Sequence, residues 1–525
     1  MMLTNAGQII HELNEHLLRN VKQNQTPNKA SHESMLSRRL VQDSRQVNKG
    51  DIFVALFGHD LNGADFIQSA IGKGADAVLI DANCNLPNDF TPPADVFIKT
   101  VHNLRGELAE LCQHFYFGQN KILPVIGITG TNGKTSISHL LAQIADMSNT
   151  NTTNKNGCAV IGTMGTGHID NLVPSNNTTP GITDVYQLLS SFSESNFKAA
   201  AMEVSSHALA QGRVAGLEFD IAVFTNLTHE HLDYHGTMEQ YFAEKAKLFI
   251  DYKPRVAVIN VDDSYGEKLS HLIPSSTKLV AYGQSENVPA YSEYVWVKSA
   301  ECQPYGLHLE IEWQLSGSKE TTILELPLYG EFNAMNIAAV FATSLLSGWA
   351  FDSSAYAKLK PVPGRLELFV EPNQPIAIVD YAHTPDALKA SLTAVKEHLS
   401  GKLILVFGCG GDRDTSKRPL MAEVAERYAD QIIITNDNPR TEDQEAIVQD
   451  IMAGFKNPQN ISVEYDRKTA IELAVSIANQ EDAILIAGKG HEDYQIIGDQ
   501  KIDYDERAFT AGFMARRASA SQLKG

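Results

Sequence analysis

The stretch Val125-Ile-Gly-Ile-Thr-Gly-Thr-Asn-Gly-Lys-Thr-Ser136 joins a glycine-rich loop to a lysine and a hydroxyl, the parts of a phosphate cradle. Glycines let backbone N–H groups approach phosphate oxygens, and a helix N-terminus adds positive potential. At this spacing Lys134 reaches the β- and γ-phosphates and the Thr135 hydroxyl ligates Mg²⁺. Gly130, Thr131, Asn132, Gly133, Lys134, Thr135 and Ser136 therefore predict a site for a nucleoside triphosphate. The spacing departs from the common pattern: Ile128 stands where a standard P-loop has its first glycine, and the nearest glycine is Gly127. A Gly-Lys-Thr alone is an ordinary turn. What sets this one apart is the β-branched run before it, Ile122 to Ile128, and the helical spacing after it, with Leu140, Leu141 and Ile144 on one face.

Other chemistry-bearing residues follow further strands. Met202-Glu-Val-Ser-Ser-His207 puts the Glu203 carboxylate at a strand end, where a hard cation such as Mg²⁺ would take it. His229, His231 and His235 are clustered, but without a companion cysteine they predict structural histidines and not zinc. Asn436-Asp-Asn-Pro-Arg440 is rich in turn formers, and its arginine offers a planar fork that matches a carboxylate. Gly408-Cys-Gly-Gly-Asp-Arg-Asp414 adds a second guanidinium, Arg413, and Gly488-Lys-Gly-His-Glu492 adds an acid. Two arginines and a glutamate suit a zwitterionic amino acid.

These groups need a scaffold. Apolar runs at Ile52–Leu56, Ala77–Ile80, Val96–Lys99, Lys198–Val204, Ile221–Phe224, Arg255–Val261, Ile376–Val379, Leu403–Phe407, Gln431–Thr435 and Ala483–Ile486 predict strands, with helical stretches between them, among them Leu104–Phe117. The polar clusters sit where the strands end, and parallel sheets bind ligands at the carboxyl ends of their strands. The pattern predicts an α/β protein with an active cleft built by two α/β domains. The 525 residues exceed one core and divide into three domains, 1–117, 118–360 and 361–525, with Pro361-Val-Pro-Gly364 as a linker signal and the polar stretch Ser148–Asn156 as a loop. A net charge of −20 argues against a general binder of nucleic acid or anionic membrane. Five cysteines without a CxxC pattern fit a reducing cytosol. The start lacks a signal sequence, since Ile9-Ile10 is interrupted by His11 and Glu12, and no run is long enough to span a bilayer. The expectation is a cytoplasmic monomer.

Taken in order, from Asp43-Ser-Arg45 and Phe57-Gly-His59 to Gly488-Lys-Gly-His-Glu-Asp-Tyr-Gln495, the clusters resemble the Mur ligases of peptidoglycan synthesis. The likeness is strongest to the branch that adds meso-2,6-diaminopimelate to UDP-N-acetylmuramoyl-L-alanyl-D-glutamate. It implies a small N-terminal α/β domain for the UDP-sugar, a central P-loop ATPase domain and a C-terminal Rossmann-like domain for the incoming amino acid, with ATP and Mg²⁺ as cofactors. On the same resemblance, Ser44 and His59 match positions near the uridine diphosphate. Asn177, Thr178, Thr179, Ser205, Gln211 and Arg213 match muramoyl-peptide contacts. Lys134, Thr135, Glu203 and His231 match the nucleotide and magnesium set. Aligning Tyr241 and Leu248-Phe249 puts the family's carbamylated lysine at Lys245 and not Lys247, with Glu244 in place of a small residue. Asn333 and Asn336 match asparagines flanking the nucleotide, with Phe332 where several relatives have histidine, and Arg365, Asp380 and His383 match the far side of the ATP site. Arg413, Asp437, Asn438, Pro439, Arg440, Gly488 and Glu492 match the diaminopimelate site. Alternatives are an L-lysine-adding ligase of the same family, a folylpolyglutamate synthase-like ligase, a P-loop switch or motor, and a non-catalytic nucleotide-binding module.

Overall fold

Four apolar runs in the first hundred residues pair side by side. β1 (Leu40–Val41), β2 (Ile52–Ala55), β3 (Ala77–Asp81) and β4 (Phe97–Val101) form a parallel sheet in that order. β2 and β3 are buried throughout, which is why they read as continuous apolar runs and not as alternation. The computed structural model describes residues 5–24, 38–58, 61–86, 90–91, 93–118, 120–148, 156–349 and 352–522. His59 lies outside the described residues, as does most of the Ser148–Asn156 stretch. Contacts divide the chain into two units, Met1–Ile259 with Asp263–Leu279, and Asn260–Asp262 with Val280–Gly525.

In the first unit, β5 (Val125–Thr129), β6 (Cys158–Gly162), β7 (Gly165–His168), β8 (Asn171–Val173), β9 (Ala199–Glu203), β10 (Ile221–Phe224) and β11 (Val256–Asn260) lie in the order β11-β10-β5-β9-β6-β7-β8. The first five pair in parallel, and β6-β7-β8 is an antiparallel meander. β5 begins three residues later than its apolar run suggests, directly after Pro124, which has no N–H to give a ladder. Gly127 belongs to the strand and not to the loop: a Cβ there would fall 2.7 Å from the Phe219 ring. It serves packing, and the cradle proper starts at Gly130.

The chain enters the second unit along β12 (Lys278–Gly283). There β13 (Tyr294–Gln303), β14 (Gly306–Leu315) and β15 (Ser318–Leu326) form an antiparallel meander. The sequence reading of residues 118 to about 350 as alternating strands and helices is corrected here. The signal was present: Leu307, Leu309, Ile311 and Trp313 are buried in alternation with less buried polar residues, the period of a half-buried strand. The helix Phe332–Leu346 follows, its Phe341 edge-on to Trp313 at 4.9 Å.

The rest of this unit is a six-stranded sheet. β16 (Glu367–Phe369), β17 (Ile376–Asp380), β18 (Leu403–Phe407), β19 (Gln431–Ile434), β20 (Ser462–Val463) and β21 (Ala483–Ala487) lie in the order β16-β17-β21-β18-β19-β20. All but β16 are parallel. Separate apolar clusters cover the two faces, the doubly wound arrangement. The hairpin β22 (Tyr494–Ile497) and β23 (Gln500–Asp503) follows β21. The linker signal ends packed: Gly364, at φ +67°, would place a Cβ 2.2 Å from the Gly490 carbonyl carbon. Among the described residues no helix is long and apolar enough to cross a membrane.

The carboxyl ends of β19 and β21 are tied by a buried ion pair. Arg467 is 2% exposed and Glu506 fully buried. The guanidinium donates to both Glu506 carboxylate oxygens and to the carbonyls of Asn436 (3.3 Å) and Ala487 (2.9 Å). Removing one member of such a pair leaves the other charge buried without compensation. Arg467→Met is therefore expected to destabilise the protein by about 3–5 kcal/mol, read as a lowered urea midpoint with an unchanged slope.

Candidate active site

The P-loop runs from Gly130 to Gly133, and the helix Lys134–Ser148 begins at its lysine. The loop after β10 braces it. Thr131 N–H donates to the Asn226 carbonyl at 2.8 Å, Asn132 N–H to Asn226 Oδ1 at 3.0 Å, and the Thr225 hydroxyl to the Asn132 carbonyl at 2.6 Å. Lys134 Nζ donates to the carbonyls of Gly130 (2.8 Å) and Thr131 (2.7 Å). Ser136 is half-buried on the first helical turn. Backbone amides, a helix start and a lysine thus share one loop, as anion binding requires.

Glu203 ends β9 beside this loop and is 1% exposed. Its Oε2 accepts from the Thr135 hydroxyl at 3.0 Å and the Thr163 hydroxyl at 3.2 Å, and its Oε1 accepts from Thr163 N–H at 2.9 Å. Burial pushes the carboxyl above its ordinary range, while Lys134 and these donors act against the shift. A buried carboxylate touching the P-loop hydroxyl is a hard-oxygen pair of the kind Mg²⁺ takes.

Lys245, on the helix Met238–Ile250, is 1% exposed and donates from Nζ to the Gly130 carbonyl at 2.8 Å. Lys134 uses the same carbonyl, so two amines converge on one oxygen. Burial first, and then Lys134, push the Lys245 amine well below the usual lysine range, against the pull of Glu230. Lys247, two residues on, is only half-buried and pairs with Glu244 at 2.7 Å. His231 sits near this group in a left-handed backbone (φ +56°), its ring 5.0 Å from His207 and 6.1 Å from Tyr241. His235 stacks on Tyr241 and meets the Ser206 hydroxyl at 2.9 Å. Burial and His207 lower its basicity. Among the described residues no group of three or more His, Cys, Asp or Glu side chains forms a ready metal cage.

The residues expected to meet the muramoyl peptide also gather in the first unit. Thr179 donates to the Glu203 carbonyl at 2.8 Å and accepts from Ser205 N–H at 3.1 Å. Arg213 donates to the Thr179 carbonyl at 2.8 Å and, through two nitrogens, to Gln211 Oε1 at 3.0 and 2.7 Å. The Thr178 and Thr163 hydroxyls are 3.1 Å apart, which joins this loop to the Glu203 site, and Asn177 lies exposed beside them. Ser44 is buried in a short turn capped by Asp43. The neighbouring Gln42 accepts from Thr183, at the start of the helix that follows the Asn177–Thr179 loop, at 3.4 Å.

In the second unit, Asn333 and Asn336 are linked at 2.8 Å on the helix Phe332–Leu346. Arg365 lies over the Tyr381 ring at 5.0 Å. Asp380 is spent on structure: it accepts from Leu366 N–H (2.9 Å), Ala382 N–H (3.2 Å) and the Ser391 hydroxyl (2.5 Å). His383 is exposed. The loops after β18, β19 and β21 meet. Arg440 Nη1 donates to the Gly411 carbonyl at 2.8 Å, and Asn438 Nδ2 donates to Glu492 Oε2 at 3.0 Å. Asp437 and Gly488 lie in the same junction, since a Cβ on Gly488 would fall 2.7 Å from Asp437 Oδ2. Pro439 is buried, its carbonyl against Gly411, and Arg413 extends exposed from the β18 loop.

Three family models match in succession: the Mur ligase catalytic domain over residues 39–116, the Mur ligase middle domain over 128–344, and the Mur ligase glutamate ligase domain over 364–490. The chain belongs to the Mur ligase family. Among its Mur ligase relatives is a UDP-N-acetylmuramoyl-L-alanyl-D-glutamate–2,6-diaminopimelate ligase of Haemophilus influenzae, 42% identical over 90% of this chain and 96% of that protein. A ligase of the same description from Coxiella burnetii is also 42% identical, over 91% of this chain and 96% of that one. A solved structure of a ligase so described is similar with a TM-score of 0.67 at 34% identity, covering 92% of this chain and 95% of that one. Sequence reasoning passed over two members of this Mur ligase's candidate site. Thr163 follows a glycine in an unremarked turn and carries no signal of its own. Lys489 lies inside the flagged Gly488–Glu492 motif but reads there as an ordinary solvated lysine, whereas it is fully buried.

Proposed function

We propose that this chain is an ATP-dependent ligase that joins meso-2,6-diaminopimelate to UDP-N-acetylmuramoyl-L-alanyl-D-glutamate in peptidoglycan precursor synthesis. The observation that carries the reading is an intact P-loop with Thr135 on a buried Glu203, in a chain aligned over nine-tenths of its length with ligases of that description. We assign the UDP-substrate to residues 1–117, the nucleotide to 118–360 and the amino acid to 361–525. The three family matches fall inside these ranges. The five unpaired cysteines suit a reducing cytoplasm.

The D-glutamyl γ-carboxylate attacks the γ-phosphorus of ATP, ADP leaves, and an acyl phosphate forms. The free amine of diaminopimelate attacks the acyl carbon. The tetrahedral intermediate then expels inorganic phosphate, and the nitrogen loses its proton to leave an amide. The chain's task is to hold two anions together and neutralise their charge. Lys134 and the amides at the start of its helix do this at the transferred phosphate. We assign Ser44, Asn177, Thr178, Thr179, Ser205, Gln211 and Arg213 to the UDP-substrate and Asn333, Asn336, Arg365 and His383 to the nucleotide, with Asp380 shaping the loop that carries His383. Mg²⁺ fits the hard-oxygen pair of Thr135 and Glu203. Those residues, His231 and a carbamate on Lys245 would hold it, and when bound it supplies positive charge to the phosphate oxygens. Phosphate release from ATP that requires both the UDP-dipeptide and a diamino acid tests this reading, and equal release with either omitted overturns it.

The choice of diaminopimelate over L-lysine rests on Arg440. The two amino acids differ by one distal carboxylate. Arg440 Nη1 is engaged by the Gly411 and Asn438 carbonyls, while its Nη2–Nε edge makes no hydrogen bond among the described residues. Its backbone is left-handed (φ +52°) and pinned on both sides, N–H to the Ile496 carbonyl and carbonyl to Gly498 N–H. A fork held this way suits a bidentate carboxylate. Arg440→Ala is expected to raise KM for diaminopimelate about tenfold to a hundredfold and to leave KM for ATP and the UDP-substrate unchanged. Steady-state kinetics with both amino acids checks it.

A further inference from the structure

The junction of the β19 and β21 loops is organised around a charge that no step above uses. Lys489 is fully buried. Its Nζ donates to Asn438 Oδ1 at 3.0 Å and to Glu492 Oε2 at 3.3 Å, and lies 3.7 Å from Asp437 Oδ1. Asn438 Oδ1 accepts a second bond, from Ile496 N–H at 2.9 Å. Two donors on that oxygen fix the amide, because a flipped Asn438 would set its NH₂ against an ammonium and a backbone N–H. The fixed amide then points Nδ2 at Glu492 Oε2, at 3.0 Å. Glu492 is thereby held twice through one oxygen, and its Oε1 has no hydrogen-bond partner among the described residues. The charges nearest the ammonium are unequal as well: it faces the two carboxylates of Asp437 and Glu492.

We infer that Lys489 is the positioning residue of the amino-acid site: it locks the Asn438 amide and one oxygen of Glu492, so that the other oxygen is presented to an ammonium of the incoming amino acid. The inference rests on the reading of Asn438 and Glu492 given above. Lys489 does not touch the substrate. It acts through its two neighbours, and its loss should weaken amino-acid capture without touching nucleotide binding.

The test is steady-state ligation by the full-length protein with diaminopimelate, ATP and UDP-dipeptide varied in turn. Lys489→Met keeps most of the side-chain volume and removes the charge. It is expected to raise KM for diaminopimelate about tenfold or more, with the other two KM values within about twofold of wild type. A role in folding alone predicts a lower unfolding midpoint with an unmoved diaminopimelate KM, and that result overturns the inference, as does an equal rise in all three KM values. Glu492→Gln is measured alongside. If Lys489 acts through Glu492, the double variant is less impaired than the two single effects combined, and full additivity overturns the inference. If Glu492→Gln leaves the amino-acid KM unchanged, the assignment of Glu492 falls and the inference with it. If Glu492→Gln raises that KM and Lys489→Met does not, only the Lys489 inference falls. Should the methionine variant not fold, Lys489→Gln, which can still donate to Asn438 Oδ1, must give a severalfold rise confined to the amino-acid KM, and no rise overturns the proposal.

Discussion

Lys134→Ala is expected to lower ligation by about 10²–10³-fold or more in a protein that still folds. In the structure the ammonium is held by the carbonyls of Gly130 and Thr131 in its own loop, so it is stored where phosphate oxygens are to arrive. Both of these hydrogen bonds lie within the loop, and the loop has independent braces from Thr225 and Asn226. Alanine therefore removes the charge without removing the scaffold. The charge matters most in the transition state, when a phosphoryl group passes between two anions and a fixed positive group neutralises the charge that develops. The measurement is phosphate release under saturating substrates, with the thermal unfolding midpoint as the control for fold. Turnover near wild type would remove this loop from the reaction.

How much of this was legible beforehand depended on the range of the signal. The strands at Ile221–Phe224 and Leu403–Phe407 were readable to the residue, because a strand buried on both faces writes itself as an unbroken apolar run. β13 to β15 were passed over, since half-buried antiparallel strands alternate and their alternation was hidden between charged residues such as Glu310 and Glu312. The polar clusters at strand ends were visible as clusters. Which of them share an edge was not, because that follows from sheet order. Only the placement of β21 between β17 and β18 brings the Gly488–Glu492 loop beside the loops that follow its neighbours. Thr163 shows the limit most plainly. It binds Glu203 through both its N–H and its hydroxyl, yet it lies 40 residues away in the chain and follows an ordinary glycine turn.

Lys245→Ala is expected to be nearly inactive, with a loss on the order of 10²-fold or more, whereas Lys247→Ala retains most of the activity. The pair is a sharp test because the two lysines lie on one helix in opposite environments. Lys247 is half-buried and pairs with Glu244 at the protein surface, an interaction of small consequence there. Lys245 is buried against the P-loop carbonyl that Lys134 also uses, and burial together with that neighbour disfavours its ammonium form. A buried lysine kept neutral is a free amine, and a free amine can add to carbon dioxide: the nitrogen bonds the carbon, one proton is released, and a carbamate remains. The product would turn a would-be cation into a carboxylate-like anion against the P-loop at Gly130, the donor type that a hard divalent ion takes. Lys134, which adds to burial in disfavouring the Lys245 ammonium, would attract the carbamate's negative charge. Two further results are expected. Bicarbonate, or a small carboxylic acid that can occupy the vacated space, should partly restore Lys245→Ala, and it should do nothing for Lys134→Ala. Crystals of the magnesium-loaded enzyme should show density for three atoms beyond Nζ of Lys245. A bare ammonium there, or loss of activity in Lys247→Ala instead, would count against the carbamate.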